Sequence, residues 1–137
     1  MSKLFVVLLA SLCAANASAL DPPSRTLTAD EAHALVLASL TPEQKGLPSL
    51  GAEPYNDPHT SQFLFFTVYW AGAPNGSAVV ANLAVDPNTG DVFSATMSCK
   101  EEQNRNLRAL QTRIRARLHL SQSEYQRLKT KGPLCDK

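Results

Sequence analysis

The sequence is 137 residues long, and its 13 basic residues almost balance its 12 acidic ones. This length predicts one domain, and the absence of internal repeats and low-complexity tracts excludes a repeat protein. The 3 histidines and 3 cysteines are scattered without the spacing of metal ligands. We therefore expect no metal and no cofactor.

The first 19 residues have the pattern of a secretory signal peptide. Lys3 gives the positive start, residues 4–13 form a short apolar run, and Ala17-Ser18-Ala19 fits the small-x-small cleavage rule. An apolar run of this length is too short for a stable membrane anchor. We expect cleavage after Ala19, which leaves residues 20–137 as a single periplasmic or secreted domain without a transmembrane anchor.

Two helix starts follow in the sequence. Thr28-Ala-Asp-Glu31 is a capping box, and the apolar residues after it have helical spacing, which predicts an amphipathic helix. Thr41-Pro-Glu-Gln44 predicts a short second helical turn that Gly46 ends. Residues 47–60 contain several prolines and predict a loop.

Three strand-like stretches come next, at residues 61–70, 78–86 and 91–99. The turn Pro87-Asn-Thr-Gly90 joins the last two, so the pattern predicts a three-stranded antiparallel meander. In the first stretch, one set of alternating side chains has no polar member and is expected in the core with Leu83 and Phe93. That set is Leu64, Phe66, Val68 and Trp70.

The opposite face of this sheet is mixed in character. Its predicted members are Phe63, Phe65, Thr67, Tyr69, Asn82, Ser94 and Thr96. One interpretation is that another helix covers this face, or that the first strand is central. The other is a partly open aromatic and hydroxyl surface used for binding, with Phe63, Phe65 and Tyr69 as partner-binding residues.

The last part of the chain is helical and basic. Residues 101–120 predict a long helix with an apolar seam at Leu107, Leu110, Ile114 and Leu118, and the capping box Ser121-Gln-Ser-Glu124 predicts a short terminal helix that ends near Lys131.

The charge of the mature chain is divided between its two parts. Residues 20–99 carry a net charge of −6, whereas residues 100–131 carry +6. The basic part is either a solvated face partly paired with the acidic part, or a site for an acidic partner in which Arg108 and Arg115 take part. Membrane headgroups and nucleic acid are the remaining alternatives for this basic part. We expect no nucleic-acid partner, because an exported chain without a recognition motif does not fit that class.

Export also changes the expected chemistry of the cysteines. Removal of the signal peptide leaves Cys99 and Cys135, an even pair in an oxidising compartment, and we predict a disulfide between them. The chain-entropy model gives such a bridge roughly 4 kcal/mol of stabilisation.

The predicted fold class is therefore α+β, with an N-terminal helix, a three-stranded antiparallel meander, a long C-terminal helix, a short terminal helix and one disulfide. No serine lies in a nucleophile-elbow sequence, and Glu101 and Glu102 are adjacent, so they cannot form a facing acid pair. We expect that the protein is not an enzyme. A small hydrolase that uses His59 or His119 is the alternative.

Three segments resemble a PepSY-like domain: the helix start at residues 27–32, the strand at 65–69, and the hairpin Leu83-Ala-Val-Asp-Pro-Asn-Thr-Gly-Asp-Val92. The resemblance covers roughly half of the mature chain. It implies a non-catalytic binding module that often inhibits a peptidase. We expect an exported protein that inhibits a partner, such as a peptidase or a cell-wall hydrolase, by occlusion. The alternative partner is a secreted toxin that acts in the periplasm, which would make the chain an immunity protein.

Overall fold

The computed structural model describes residues 24–56, 62–72, 75, 78–96 and 100–133. In chain order, its elements are α1 (Ala29–Ser39), α2 (Pro42–Lys45), β1 (Leu50–Tyr55), β2 (Leu64–Trp70), β3 (Ala78–Val85), β4 (Val92–Ser94), α3 (Arg105–Arg117) and α4 (Gln122–Leu128). The strands form one antiparallel sheet in the order β1-β2-β3-β4. The predicted α+β class is confirmed. In the described residues, no helix is long and apolar enough to cross a membrane.

The sheet has one strand more than the sequence predicts. Residues 47–60 are expected to form a loop, but residues 50–55 form β1, which pairs with β2 from Leu50↔Trp70 to Tyr55↔Phe65. Pro54 is compatible with this strand because β1 lies at the edge of the sheet and has only one neighbour. The three-stranded meander is therefore corrected to a four-stranded one.

A β-bulge changes which side chains of β3 share a face. Val68 pairs with Ala81, but Tyr69 pairs with Val79, so Val80 is the extra residue. Simple alternation places Val79 in the core with Ala81, whereas the bulge turns Val79 to the opposite face, where it is 62% exposed.

The register of β4 also differs from the prediction. The turn after β3 is closed by hydrogen bonds from Asp86 N to Asp91 O and from Gly90 N to Asp86 O, with Gly90 at a φ of +73°. Phe93 then pairs with Ala84, and Leu83 pairs with Ser94. Phe93 therefore lies on the face opposite Leu83, and the prediction that they share a core is wrong.

The main core lies between one face of the sheet and the helices α1 and α3. Its buried members include Leu35 and Val36 of α1, Phe66 and Val68 of β2, Leu83 of β3, and Leu107 and Ile114 of α3. Each fully buried aliphatic or aromatic side chain contributes about 1.5–3 kcal/mol relative to an exposed one. Leu64 and Trp70 do not join this core as predicted. They occupy the ends of β2, where Leu64 is 36% exposed and Trp70 is half-buried.

The helix starts are fixed by local caps. The capping box predicted at Thr28 is formed, and the short helix predicted after Thr41 also begins with one. At Ser121, the hydroxyl accepts from Glu124 N at 3.2 Å. The long helix predicted at residues 101–120 begins only at Arg105. The residues before it continue the sheet instead, because Glu101 bridges to Phe93 and Glu102 N donates to Val92 O. Asn104 then caps α3 by accepting from Leu107 N at 2.8 Å. Its amide also donates to Ala38 O and Ser39 O, so it joins the end of α1 to the start of α3.

The predicted signal peptide and the predicted bridge between Cys99 and Cys135 lie outside the described residues. Both stay predictions.

Candidate partner-binding surfaces

The second face of the sheet is closed at one end by aromatic side chains. Phe63, Phe65 and Phe93 form a cluster with Ala84, and the ring of Phe63 lies 6.4 Å from that of Phe65 and 6.0 Å from that of Phe93. The C-terminal segment covers this cluster, since a Cβ at Gly132 would lie 3.0 Å from Cδ1 of Phe93. Phe63 is 9% exposed and Phe65 is 4% exposed. The proposal of these two rings as partner-binding residues is therefore corrected: they form a second core.

The side chains on the rest of this face are exposed or half-buried. We call the following residues the open sheet face: Glu53, Tyr55, Thr67, Tyr69, Val79 and Asn82. Val79 is 62% exposed and Tyr55 is 38% exposed. Of the three predicted aromatic binding residues, only Tyr69 lies here, and it is half-buried.

Hydrogen bonds between neighbouring strands order the side chains of the open sheet face. Tyr69 donates to Oε1 of Glu53 at 3.1 Å, and Thr67 donates to Oδ1 of Asn82 at 3.0 Å. The hydrogen bond to Glu53 and the negative charge of that carboxylate raise the pKa of Tyr69. The phenol is therefore a neutral donor at physiological pH. Such a preorganised surface of aromatic, hydroxyl and amide groups is typical of protein interfaces.

A buried carboxylate organises the basic helix. Nη2 of Arg115 lies 2.6 Å from Oδ1 of Asp91, which is fully buried. Oδ1 also accepts from the hydroxyl of Tyr125 at 3.1 Å, and Oδ2 accepts from Thr89 at 3.0 Å. The Arg115 guanidinium stacks over the Tyr125 ring at 4.0 Å. This network joins α3, α4 and the turn before β4.

The positive charge of Arg115 offsets the cost of burying the Asp91 carboxylate. Burial raises the pKa of Asp91, as does the negative charge of Glu101, and Arg115 opposes that rise. Burial also raises the pKa of Tyr125, which keeps its hydroxyl a donor to Asp91. A buried carboxylate needs a cation and hydrogen bonds to offset its lost hydration. Arg115 is 23% exposed and has this role in the fold, while its role in partner binding stays a prediction.

A second arginine of α3, Arg117, also forms an ion pair within the protein. Nε and Nη2 of Arg117 donate to the two oxygens of Glu31, each at 2.6 Å. The same guanidinium donates to Ser24 O and Thr26 O at 3.2 Å. Desolvation acts to raise the pKa of Glu31, but the Thr28 backbone N–H and Arg117 outweigh it and lower that pKa. Arg117 therefore fixes the segment before α1, a role that the sequence alone does not reveal.

The remaining three arginines of α3 face outward. Arg105, Arg108 and Arg113 are exposed, and within the described residues none of them forms an ion pair. We call these three residues the basic face. Arg108 belongs to it as the sequence suggests, and its role in binding stays a prediction. Arg105 and Arg113 join Arg108 on the exposed side of α3, a helix that contains no acidic residue.

The two described histidines lie on different parts of the fold. His33 is half-buried on α1 with its ring 6.3 Å from that of Phe66, and His119 is exposed after α3 with a φ of +53°. His59 lies outside the described residues. In the described part of the chain, no three His, Cys, Asp or Glu residues are grouped so that they could hold a metal ion.

The fold is thus a four-stranded antiparallel sheet with helices packed on one face and an open region on the other. No family model and no curated protein sequence matches this chain. The fold is similar to that of a chain in the structure of a type VI secretion system effector–immunity complex from Pseudomonas protegens. The TM-score is 0.57 at 24% identity, and the alignment covers 75% of this chain and 86% of that chain. The resemblance to PepSY-like domains stays a prediction.

Proposed function

We propose that this protein is an immunity-type binding protein that neutralises a protein toxin by covering part of its surface. The observation that carries the proposal is the fold similarity to a chain of an effector–immunity complex, which extends over 86% of that chain. On this proposal, the chain acts without catalysis. It reaches the periplasm through the predicted signal peptide and meets the toxin there.

The open sheet face supports this proposal physically. A stable protein complex buries roughly 800 Å² on each partner, and its interface is enriched in tyrosine and arginine. Tyr55, Tyr69 and Val79 offer apolar and aromatic area, while Thr67 and Asn82 offer hydrogen-bonding groups. Because these side chains lie on paired strands, little conformational entropy is lost when a partner binds.

Inhibition of an endogenous peptidase or cell-wall hydrolase is the second candidate function. It rests on the PepSY-like segments, which include the capped start of α1 and the β3–β4 hairpin. Both candidates are occlusion mechanisms, and they differ in the identity of the partner.

The test begins with residues 20–137 immobilised as bait for envelope and culture extracts of the organism that encodes the chain. A bait with Val79→Glu and Tyr69→Ala is the matched control, because it changes the open sheet face without touching the main core. Mass spectrometry identifies proteins retained by the first bait only.

Each retained protein is then produced in the periplasm of a host strain. The proposal expects that it arrests growth and that co-production of this chain restores growth. A retained envelope peptidase or hydrolase that is harmless to the host, and that this chain inhibits, would replace the immunity proposal by the second candidate. Rescue that disappears in a His119→Ala variant while the retained protein still binds would instead support the hydrolase alternative.

A further inference from the structure

Helix α3 contains more arginines than form ion pairs with the described acidic residues. Five of its 13 residues are arginine, and none is acidic. Arg115 is engaged by Asp91 and Arg117 by Glu31, each at 2.6 Å. Arg105, Arg108 and Arg113 have no such partner among the described residues. Within the described part of the chain, three exposed guanidinium groups of α3 are therefore left without an acidic partner.

These three groups share the outward side of one rigid helix. Leu107, Gln111 and Ile114 point into the protein, and the opposite side is exposed throughout. Its exposed members are Arg105, Arg108, Ala109, Thr112, Arg113 and Ala116. The short side chains lie between the arginines, so a partner surface can approach the helix closely while the guanidinium groups reach around it.

The position of Arg105 is unfavourable for the isolated fold. A helix start is stabilised by acidic residues and destabilised by basic ones, because the helix dipole is positive there. The other three helices obey this rule, with Asp30 and Glu31 in α1, Glu43 in α2 and Glu124 in α4. Helix α3 has no acid in its first turn and begins with Arg105. Residues that break a stability rule are expected where function requires them.

The positive surface continues beyond the helix. A cleft of about 540 Å³ lies at the start of α3, and its lining includes the basic residues Lys45, Lys100 and Arg105 and one acidic residue, Glu102. The basic face therefore adjoins a recess that could receive a carboxylate side chain of a partner.

We infer that the basic face and this recess dock an acidic surface of the toxin. The inference rests on the proposed function and adds the site and the chemistry of the partner. Arginine binds carboxylates through two parallel hydrogen bonds, which favours an acidic protein surface with fixed geometry. Exposed charges at the rim of an interface act mainly on the association rate. The open sheet face then supplies the apolar contacts that slow dissociation.

The test uses the toxin identified by capture and growth arrest as the probe. One variant carries Arg105→Glu, Arg108→Glu and Arg113→Glu. The matched control carries Arg25→Glu, Arg127→Glu and Lys131→Glu, which makes the same change in net charge at exposed positions away from the basic face. Thermal unfolding confirms that both fold, because neither alters the ion pairs of Arg115 and Arg117.

Association rates are measured at low and physiological salt. We expect the first variant to associate at least about tenfold more slowly at low salt, and the control to change by less than about twofold. A third variant with lysine at the three positions keeps most of the association rate. Equal slowing in the first two variants, or no slowing in the first, would overturn the inference while leaving the proposed function intact. If the unaltered chain neutralises no captured protein, the proposed function fails and the inference fails with it.

Discussion

Arg115 and Asp91 form an ion pair of 2.6 Å in which the carboxylate is buried and the guanidinium is stacked on Tyr125. This pair, together with that of Arg117 and Glu31, distinguishes the two arginines of α3 that belong to the fold from Arg105, Arg108 and Arg113. The turn before β4 places Asp91 under the helix, and Thr89 O in the same turn accepts from Nε of Arg115. The helix that carries the basic face is thus held to the sheet by one of its own arginines.

Replacement of Arg115 by methionine should destabilise the protein. Breaking a buried ion pair costs about 3–5 kcal/mol, and we expect about 2–4 kcal/mol here because solvent reaches part of Arg115 and screens the pair. Arg108→Met is the matched control and should change the free energy of unfolding by less than about 0.5 kcal/mol. Urea denaturation measures both. Equal losses would mean that Asp91 does not depend on Arg115, and the double variant Asp91→Asn with Arg115→Met should recover part of the loss.

The two aromatic residues Phe65 and Tyr69 should respond differently to truncation. Phe65 lies in the second core, so Phe65→Ala should cost about 3–5 kcal/mol. Tyr69 lies on the open sheet face, so Tyr69→Ala should cost roughly 1 kcal/mol, mainly through its lost contact with Glu53. Denaturation curves separate the two. A cost at Tyr69 as large as that at Phe65 would mean that the face is covered.

Glu31 should make stability depend on pH in the acidic range. Its pKa is lowered from 4.5 in the folded protein by the Thr28 N–H and Arg117, against the effect of burial. A lowered folded pKa means that the contribution is present above the unfolded pKa and is lost as pH falls through the folded one. The difference in unfolding free energy between the unaltered chain and Glu31→Gln should therefore shrink as pH falls from about 6 to about 3. A difference that stays constant would show that ionisation of Glu31 does not contribute.

The exported form should begin at Leu20 and contain one bridge between Cys99 and Cys135. Intact mass of the secreted protein, measured with and without reduction and alkylation, tests both predictions. If the bridge is present, alkylation labels the two cysteines only after the protein has been reduced. Retention of residues 1–19, or two thiols that react before reduction, would contradict them.

Local features were predictable because nearby residues determine them. The caps at Thr28 and Thr41 need only a hydroxyl and an acid or amide three residues later, and both are formed. The apolar seam of α3 follows in the same way from helical spacing. The charge division of the chain also predicted that some of the basic residues pair with the acidic part, as Arg115 and Arg117 do.

The features that sequence reasoning missed depend on distant contacts. β1 forms because β2 offers it a complete pairing edge, and this outweighs the presence of Pro54. The bulge at Val80 and the register of Phe93 come from strand pairing and turn closure, which alternation within one strand cannot reveal. For the same reason, Arg115 and Arg108 look equivalent in the sequence, and only the position of Asp91 distinguishes them.

The most direct test of the immunity proposal is the survival of a strain that lacks this chain. The strain is grown in contact with its unaltered parent, which delivers the toxin, and with a parent whose toxin gene is deleted. We predict that the strain is killed by the first parent, survives the second, and is protected by a plasmid that supplies this chain. Full survival beside the toxin-producing parent without the plasmid would contradict the proposal.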